Sequence, residues 1–508
     1  MLKKSKSLLP ALLFASLVGV NCVAQPAPPA TIETIQLDPN APVTPFPHFW
    51  EKMFGSGRAI LALRDSYRRD LETVRGITGF EYIRFHGIFD DDMGVYEEDA
   101  KGNPVYNFSY VDQVYDCLLA RHVRPFVELG FMPKKLAANP VLHPFWYRPS
   151  PSPPKDYAKW DGLIAAFARH LVERYGLEEV SQWYFEVWNE PNIDFWAGEP
   201  KQSTYFELYD HTVRALKAVS PRLRVGGPST AQAAWVDAFI RHVTDANVPA
   251  DFVSTHVYAN DSVKDVFGAG DPLPRDQMVC RAVKKVHEQI KASAKPSLPL
   301  IWSEYNASYK NEPEVTDAAF MAPWLADTID QCDGLVDVMS YWSFSDVFDE
   351  QGVVRQPFYG GFGLIAEGGI PKPAYNAFQL LHKLGNQRVR VASQSALVTK
   401  REDGSWAIAL WDLAPLGATG SRGQPKHFVV RLPAGSRNAR VFASRVDEKN
   451  GNVLLAYETM GSPRYPTESQ LRTLTQAAQL SPAERLDVKD GSVALEVSSP
   501  GLVLLEIR

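Results

Sequence analysis

Between residues 50 and 385, short apolar runs alternate with longer segments whose apolar residues recur every three to four positions. A parallel sheet covered by helices requires that alternation: strands buried on both faces read as continuous apolar runs, while each helix shows one apolar stripe. Eight runs are placed as strands, at 53–54, 82–85, 125–129, 184–187, 223–225, 252–254, 300–302 and 338–341. Amphipathic stretches at 65–77, 110–121, 160–175, 205–219, 235–247 and 275–292 are expected to be helices. Eight such units predict an α/β fold, a (β/α)8 TIM barrel with enlarged loops.

After His382-Lys383-Leu384-Gly385 the pattern shortens to strand-like runs at 388–391, 397–400, 406–411, 427–432, 440–444, 493–497 and 502–507. Turns such as Glu402-Asp403-Gly404 and Lys489-Asp490-Gly491 separate them, which predicts a C-terminal β-sandwich. Residues 31–37 alternate as well and are expected to add a strand to it. The expected organisation is a leader over 1–24, an N-terminal segment over 25–45, the barrel over 46–385 and the sandwich over 386–508.

The leader reading rests on Lys3, Lys4 and Lys6, an apolar run over 8–20, and Cys22-Val23-Ala24 before the expected cleavage point. Gly19-Val20-Asn21 is a poor lead-in for acylation of Cys22, so an exported periplasmic or secreted protein is expected over a lipoprotein. Composition adds two exclusions. With 45% hydrophobic and 22% charged residues the chain is neither disordered nor a membrane bundle, and no later run has the length of a membrane span. A net charge of −6 disfavours nucleic acid as a partner. Past the leader, Cys117, Cys280 and Cys332 have no metal-like spacing; Cys117 reads as a small buried hydrophobe, and a disulfide between two of the three is left open.

The strand ends carry the chemistry. The first runs into Gly55-Ser56-Gly57-Arg58, the second into His86, the third holds Glu128, and the fourth ends in Asn189-Glu190. The sixth leads to His256, the seventh to Glu304 and the eighth to Trp342. In a barrel all of these open onto one face, so groups far apart in sequence converge on one pocket. Acetal hydrolysis needs one carboxylic acid to protonate the leaving oxygen and one carboxylate to meet the cationic sugar carbon; two glutamates at a barrel rim satisfy that. Pro191 stops the fourth strand and throws Glu190 into the mouth. Strict alternation would put Glu186, Trp188 and Glu190 on one side and Asn189 on the other. Glu186 is then a rival carboxylate or a buried acid paired with an arginine such as Arg84. The histidines show no His-x-x-x-His ligand spacing, and the chemistry demands no metal or cofactor.

Asn189-Glu190-Pro191 and Glu304 resemble the retaining glycoside hydrolases built on such barrels. The strings Gly55-Ser56-Gly57-Arg58, Arg84-Phe85-His86-Gly87, Asp91-Asp92-Met93, Glu128-Leu129-Gly130-Phe131-Met132-Pro133 and Tyr341-Trp342-Ser343-Phe344-Ser345-Asp346 are similar to glycoside hydrolase family 39, which contains β-xylosidases and α-L-iduronidases. The resemblance implies Glu190 as acid/base, Glu304 as nucleophile and Asn189 as partner of the sugar 2-hydroxyl. It also implies that His86, Phe131, His256, Tyr258, Trp342, Asp349 and Glu350 line the glycone subsite. Tyr305 stands where the family usually has Trp.

Iduronidases of the family meet their uronate in part with a lysine two residues after the sixth-strand histidine. Here that residue is Tyr258. A neutral glycone, β-D-xylose foremost, is therefore the expected specificity, with an α-L-iduronide, an arabinoside or an exopolysaccharide hexose as alternatives. A carbohydrate-binding protein without catalysis would have no need to keep both carboxylates.

Overall fold

The structure, a computed structural model, describes residues 32–413, 416, 424–436 and 439–508. The expected leader and Cys22 lie outside the described residues. Eight parallel strands close into a barrel, in chain order Met53–Gly55, Tyr82–Phe85, Arg124–Leu129, Tyr184–Val187, Arg224–Thr230, Phe252–Tyr258, Leu300–Asn306 and Val338–Tyr341. Each is followed by helical structure, including Asp65–Arg75, Ser109–Leu119, Tyr157–Tyr175, Lys201–Val219, Val236–Asp245, Arg275–Lys291, Met321–Cys332 and Pro373–Leu381. Asp156 caps the third of these by accepting from the amides of Ala158 and Lys159.

Strands five to seven run four or five residues further than the apolar runs predicted. Their extensions hold Ser229, Thr230, His256 and Glu304, all buried, whose polar atoms bond to backbone or to other side chains inside the mouth. The register follows: His256 pairs across from Glu304, after a shift between Thr255 and His256. Two distant polar residues thus become cross-strand neighbours.

The C-terminal part is two packed sheets. Seven strands form the larger, in the order Val43–Pro45, Gln387–Val389, Ala396–Lys400, Trp406–Asp412, Gly501–Ile507, Val441–Asp447 and Glu484–Leu486. Ile32–Gln36, Lys426–Arg431 and Ser492–Val497 form the smaller. The N-terminal segment thus supplies one strand to each sheet, with Ile32–Gln36 pairing in parallel against Lys426–Arg431. The period of two explains how the larger sheet is buried on both sides. Trp406, Ile408 and Leu410 face the sandwich core with Val503 and Leu505, while Ala407, Ala409, Trp411, Leu502 and Leu504 join the barrel's own core. The helix Met321–Cys332 packs on that second face.

Two helices, Leu454–Thr459 and Glu468–Ala477, interrupt the sandwich where no element is expected from the pattern. Thr467 and Gln470 form a capping box at the second, a signal written in Thr467-Glu468-Ser469-Gln470. Among the described residues, no helix is long and apolar enough to cross a membrane.

Candidate active site

Arg84 sits at the centre of the barrel mouth with no exposed surface. Its guanidinium donates to Glu186 Oε2 and Glu304 Oε1, each at 2.6 Å, and to Asn189 Oδ1 at 2.9 Å. Glu128 Oε2 is also 2.9 Å from it. A planar fork with five donors suits this; a lysine could not reach four acceptors in one plane. Glu186 is thus the buried acid paired with Arg84, and unlike Glu190 and Glu304 it keeps no exposed surface. Its second oxygen accepts from Ser303 at 2.7 Å.

Regular alternation ends at Val187. Trp188 and Glu190 adopt left-handed backbone, with φ of 71° and 44°. Trp188 turns into the core and donates its indole N–H to the Phe195 carbonyl, while Asn189 faces inward to Arg84. This reverses the alternation expected for the pair. With Oδ1 taken by Arg84, the Asn189 amide nitrogen is the end that can donate to a ligand. Glu190 is anchored by its own N–H on the Ser229 carbonyl at 2.8 Å.

The two carboxyl groups converge. One oxygen of Glu190, one of Glu304 and a ring nitrogen of His256 all lie within 4.8 Å of one another. Retaining glycosidases hold their carboxyl groups about 5–5.5 Å apart and inverting ones about 6.5–9.5 Å. His256 Nδ1 is 3.1 Å from Glu190 Oε1, and its Nε2 is 3.0 Å from Ser303 Oγ. Tyr258 donates its hydroxyl to Glu304 Oε2 at 2.8 Å, so its hydrogen goes to the carboxylate.

Protonation follows from these surroundings. Burial first, then the charge of Glu304, pushes Glu190 well above the usual carboxylate range. Glu304 is also raised by burial, but Arg84 and the Tyr258 hydroxyl oppose the rise. The proton therefore belongs on Glu190. Burial lowers His86 to about 3 and takes His256 well below its ordinary value, so both rings are neutral near pH 7. Burial also raises Glu128, which lies 2.6 Å from His86 Nδ1.

Trp342 forms a wall of the pocket against His86, with ring centroids 4.8 Å apart. Gly55 makes room for it: a Cβ there would stand 2.1 Å from Trp342 Cε3. Glu350 Oε1 lies 3.7 Å from His86 Nε2. Asp349 differs from expectation, because both of its oxygens are engaged by Arg58, which also pairs with Asp92 and stacks on Tyr147. Phe131 is fully buried behind His86, packed on Trp188 and Phe195, and presents no surface to a sugar. Tyr305 points outward to Trp324 and Tyr341.

Ser303 is the member of the site that the sequence reading did not single out, and Arg84, named there only as a partner for Glu186, also meets Glu128, Asn189 and Glu304. The signal was present as charged residues inside otherwise apolar strands, which must be paired to be buried. Among the described residues, two groups have the spacing to ligate a metal: Glu190 with His256 and Glu304, and His48 with Glu51 and His382, near the start of the first barrel strand and the end of helix Pro373–Leu381. In the first, the Arg84 guanidinium already supplies the cation at Glu304.

Comparison with known proteins agrees with the geometry. A β-xylosidase of Geobacillus stearothermophilus is 38% identical over 471 residues, spanning 90% of this chain and 92% of that protein. A monomeric β-xylosidase from Caulobacter crescentus CB15 superposes with a TM-score of 0.84 at 35% identity, over 94% of this chain and 99% of that one. A human α-L-iduronidase is 30% identical over 167 residues, only 30% of this chain and 24% of that protein. The model of glycosyl hydrolases family 39 matches residues 33–488, and the chain belongs to that family.

Proposed function

We propose that this protein is a retaining β-D-xylosidase, with Glu190 as acid/base and Glu304 as nucleophile. The observation that carries the glycone assignment is the charge balance of the pocket. Glu304 and Glu350 face it beside the protonated Glu190, while Arg84 and Arg58 are already paired, Arg84 with Glu128, Glu186 and Glu304 and Arg58 with Asp92 and Asp349. Arg355, a candidate cation from the loop after strand eight, is exposed, and its carbonyl is held by Arg464. A uronate carboxylate would enter this site without a partner, at a cost of several kcal/mol. A neutral pentose carries no such penalty.

In the first step the Glu304 carboxylate attacks the anomeric carbon while Glu190 gives its proton to the departing glycosidic oxygen, and the C1–O bond breaks. The product is a glycosyl ester on Glu304. Two unit charges about 5 Å apart at an effective dielectric of about 20 repel by about 3 kcal/mol, worth about two pKa units. Esterification removes that repulsion, so Glu190 becomes a base strong enough for water yet deprotonated at the working pH. Water then attacks C1, the ester oxygen leaves on Glu304, and Glu190 recovers its proton. Two displacements at one carbon give net retention. The Asn189 amide is placed to donate to the sugar 2-hydroxyl, a bond that strengthens as C1 becomes positive.

The test compares kcat/KM for a β-D-xyloside and an α-L-iduronide on one preparation, and follows the anomer first released by NMR. Faster xyloside cleavage with the β-anomer appearing first is expected. Faster iduronide cleavage, or the α-anomer first, defeats the reading. We also propose export with cleavage after Ala24, on the strength of the lysines and apolar run alone; N-terminal sequencing of the secreted or periplasmic protein checks it.

A further inference from the structure

Outside the barrel wall, helices Arg275–Lys291 and Met321–Cys332 lie side by side behind the seventh strand. Cys280 of the first and Cys332 at the end of the second face each other with their sulfurs 3.2 Å apart. Both are buried, at 4% and 0% exposure. A disulfide bond is about 2.05 Å long, so closure asks the sulfurs to approach by about 1.2 Å, which χ1 rotation of the two cysteines with a small backbone adjustment can supply. Among the described residues, the Thr328 carbonyl, 3.5 Å from Cys280, is the one other hydrogen-bond partner of the pair's sulfurs. Neither residue belongs to the catalytic site, and 52 residues separate them in the chain.

We propose that Cys280 and Cys332 are a disulfide-forming pair that closes while the two helices dock. One thiolate attacks the disulfide of an oxidant, either oxidised glutathione or a dithiol oxidoreductase in its disulfide form, and expels one thiol. The second cysteine attacks the resulting mixed disulfide and expels the other. The protein loses two protons and two electrons, and the oxidant is reduced to thiols. The timing follows from the packed state. The Cys280 thiol is held up by its contact with Cys332 first and by burial second, so in the folded protein it is a poor nucleophile and the exchange belongs to folding. For the same reason a closed bond is shielded from reductants. It would clamp the two helices that cover Tyr305, the residue after the nucleophile, and shorten the loop left free in the unfolded chain.

Cys117 provides the internal control. It lies on the separate helix Ser109–Leu119, with its sulfur against Arg121. The full chain, unfolded and refolded in a glutathione redox mixture, is alkylated in denaturant without reduction and mapped by mass spectrometry. The same map on protein taken directly from an oxidising expression compartment requires no refolding. Expected are alkylated Cys117 and a linked Cys280–Cys332 peptide lighter by two hydrogens than its reduced form. Full alkylation of Cys280 and Cys332, or linkage of either to Cys117, overturns the proposal. Reduction in denaturant, followed by refolding without an oxidant, should also lower the apparent Tm by several degrees in the wild type and in Cys117→Ala, and leave Cys332→Ala unmoved. An equal drop in Cys332→Ala overturns it as well.

Discussion

Tyr258→Phe removes one oxygen from the site and nothing else. The lost bond is a buried hydroxyl donating to the Glu304 carboxylate at 2.8 Å. Hydrogen bonds to charged groups contribute about 1.5–3 kcal/mol, and one pKa unit is 1.36 kcal/mol. Because the hydroxyl favours the ionised carboxyl, deleting it raises the Glu304 pKa by about one to two units. Glu304 is already raised by burial, so the variant has little margin near neutrality. The nucleophile must be ionised in the free enzyme, so the acid limb of the kcat/KM profile moves up by that amount. On the plateau the carboxylate also loses one of the two donors that fix its rotamer, Arg84 remaining, and kcat/KM should fall about 10–100-fold. The assay is kcat/KM for 4-nitrophenyl β-D-xyloside across pH, with a thermal melt to confirm folding. An acid limb that stays in place, or moves down, refutes the reasoning. Loss of activity with an unmoved limb would instead identify Tyr258 as a sugar contact.

Three further outcomes are expected. Glu190→Ala should keep partial turnover of an activated aryl xyloside and gain from azide with a β-xylosyl azide product, whereas Glu304→Ala should yield the opposite anomer if azide acts at all; near-wild-type hydrolysis in either variant contradicts the assignment. Gly55→Ala forces a Cβ to 2.1 Å from Trp342, so KM for the xyloside should rise by an order of magnitude or more, read from Michaelis curves beside a melt. His382→Gln should cost more stability at about pH 5.5 than at about pH 8.5, measured by urea midpoints. His382 is raised by its bond to Glu51, so its stabilisation is full below about 6.5 and fades as pH rises through the higher folded value. For Glu51, burial pushes the carboxyl up but His382 and His48 more than offset it, so that half is present above about 4.5 and fades below. Equal losses at both pH values would show that the pair contributes no charge interaction.

Much of this architecture was legible because parallel strands buried on both faces announce themselves as apolar runs, and all eight were readable on that ground. What escaped was polar. Strands five to seven continue through Thr230, His256 and Glu304 because hydrogen bonds inside the mouth make those side chains tolerable there, and hydropathy alone treats them as strand ends. The same reason left the pairing of Arg84 with Glu128 and Glu304 unread: a charge in a strand looks like an interruption until its partners on other strands are known. Glu190 and Glu304 could be named from the sequence, yet the left-handed turn at Trp188 that aims Asn189 at Arg84 could not, since nothing in Trp188 itself favours positive φ. Phe131 shows the converse limit. The family resemblance implied contact with substrate, and its packing makes it a support for His86.

The sandwich is assembled from both sides of the barrel in the chain, with Ile32–Gln36 and Val43–Pro45 contributed before it and the remaining strands after it. Topologically the barrel is an insertion, and Gly501–Ile507 is an interior strand of the larger sheet, between Trp406–Asp412 and Val441–Asp447. During synthesis the first two strands therefore emerge hundreds of residues before their partners. They must wait, unpaired, until nearly the whole chain has left the ribosome. The barrel meanwhile carries an apolar outer face that Ala407, Ala409, Trp411, Leu502 and Leu504 have yet to cover. The two modules are thus bound to a common schedule: the barrel's outer face stays partly uncovered until Gly501–Ile507 slots into the sheet between its two neighbours.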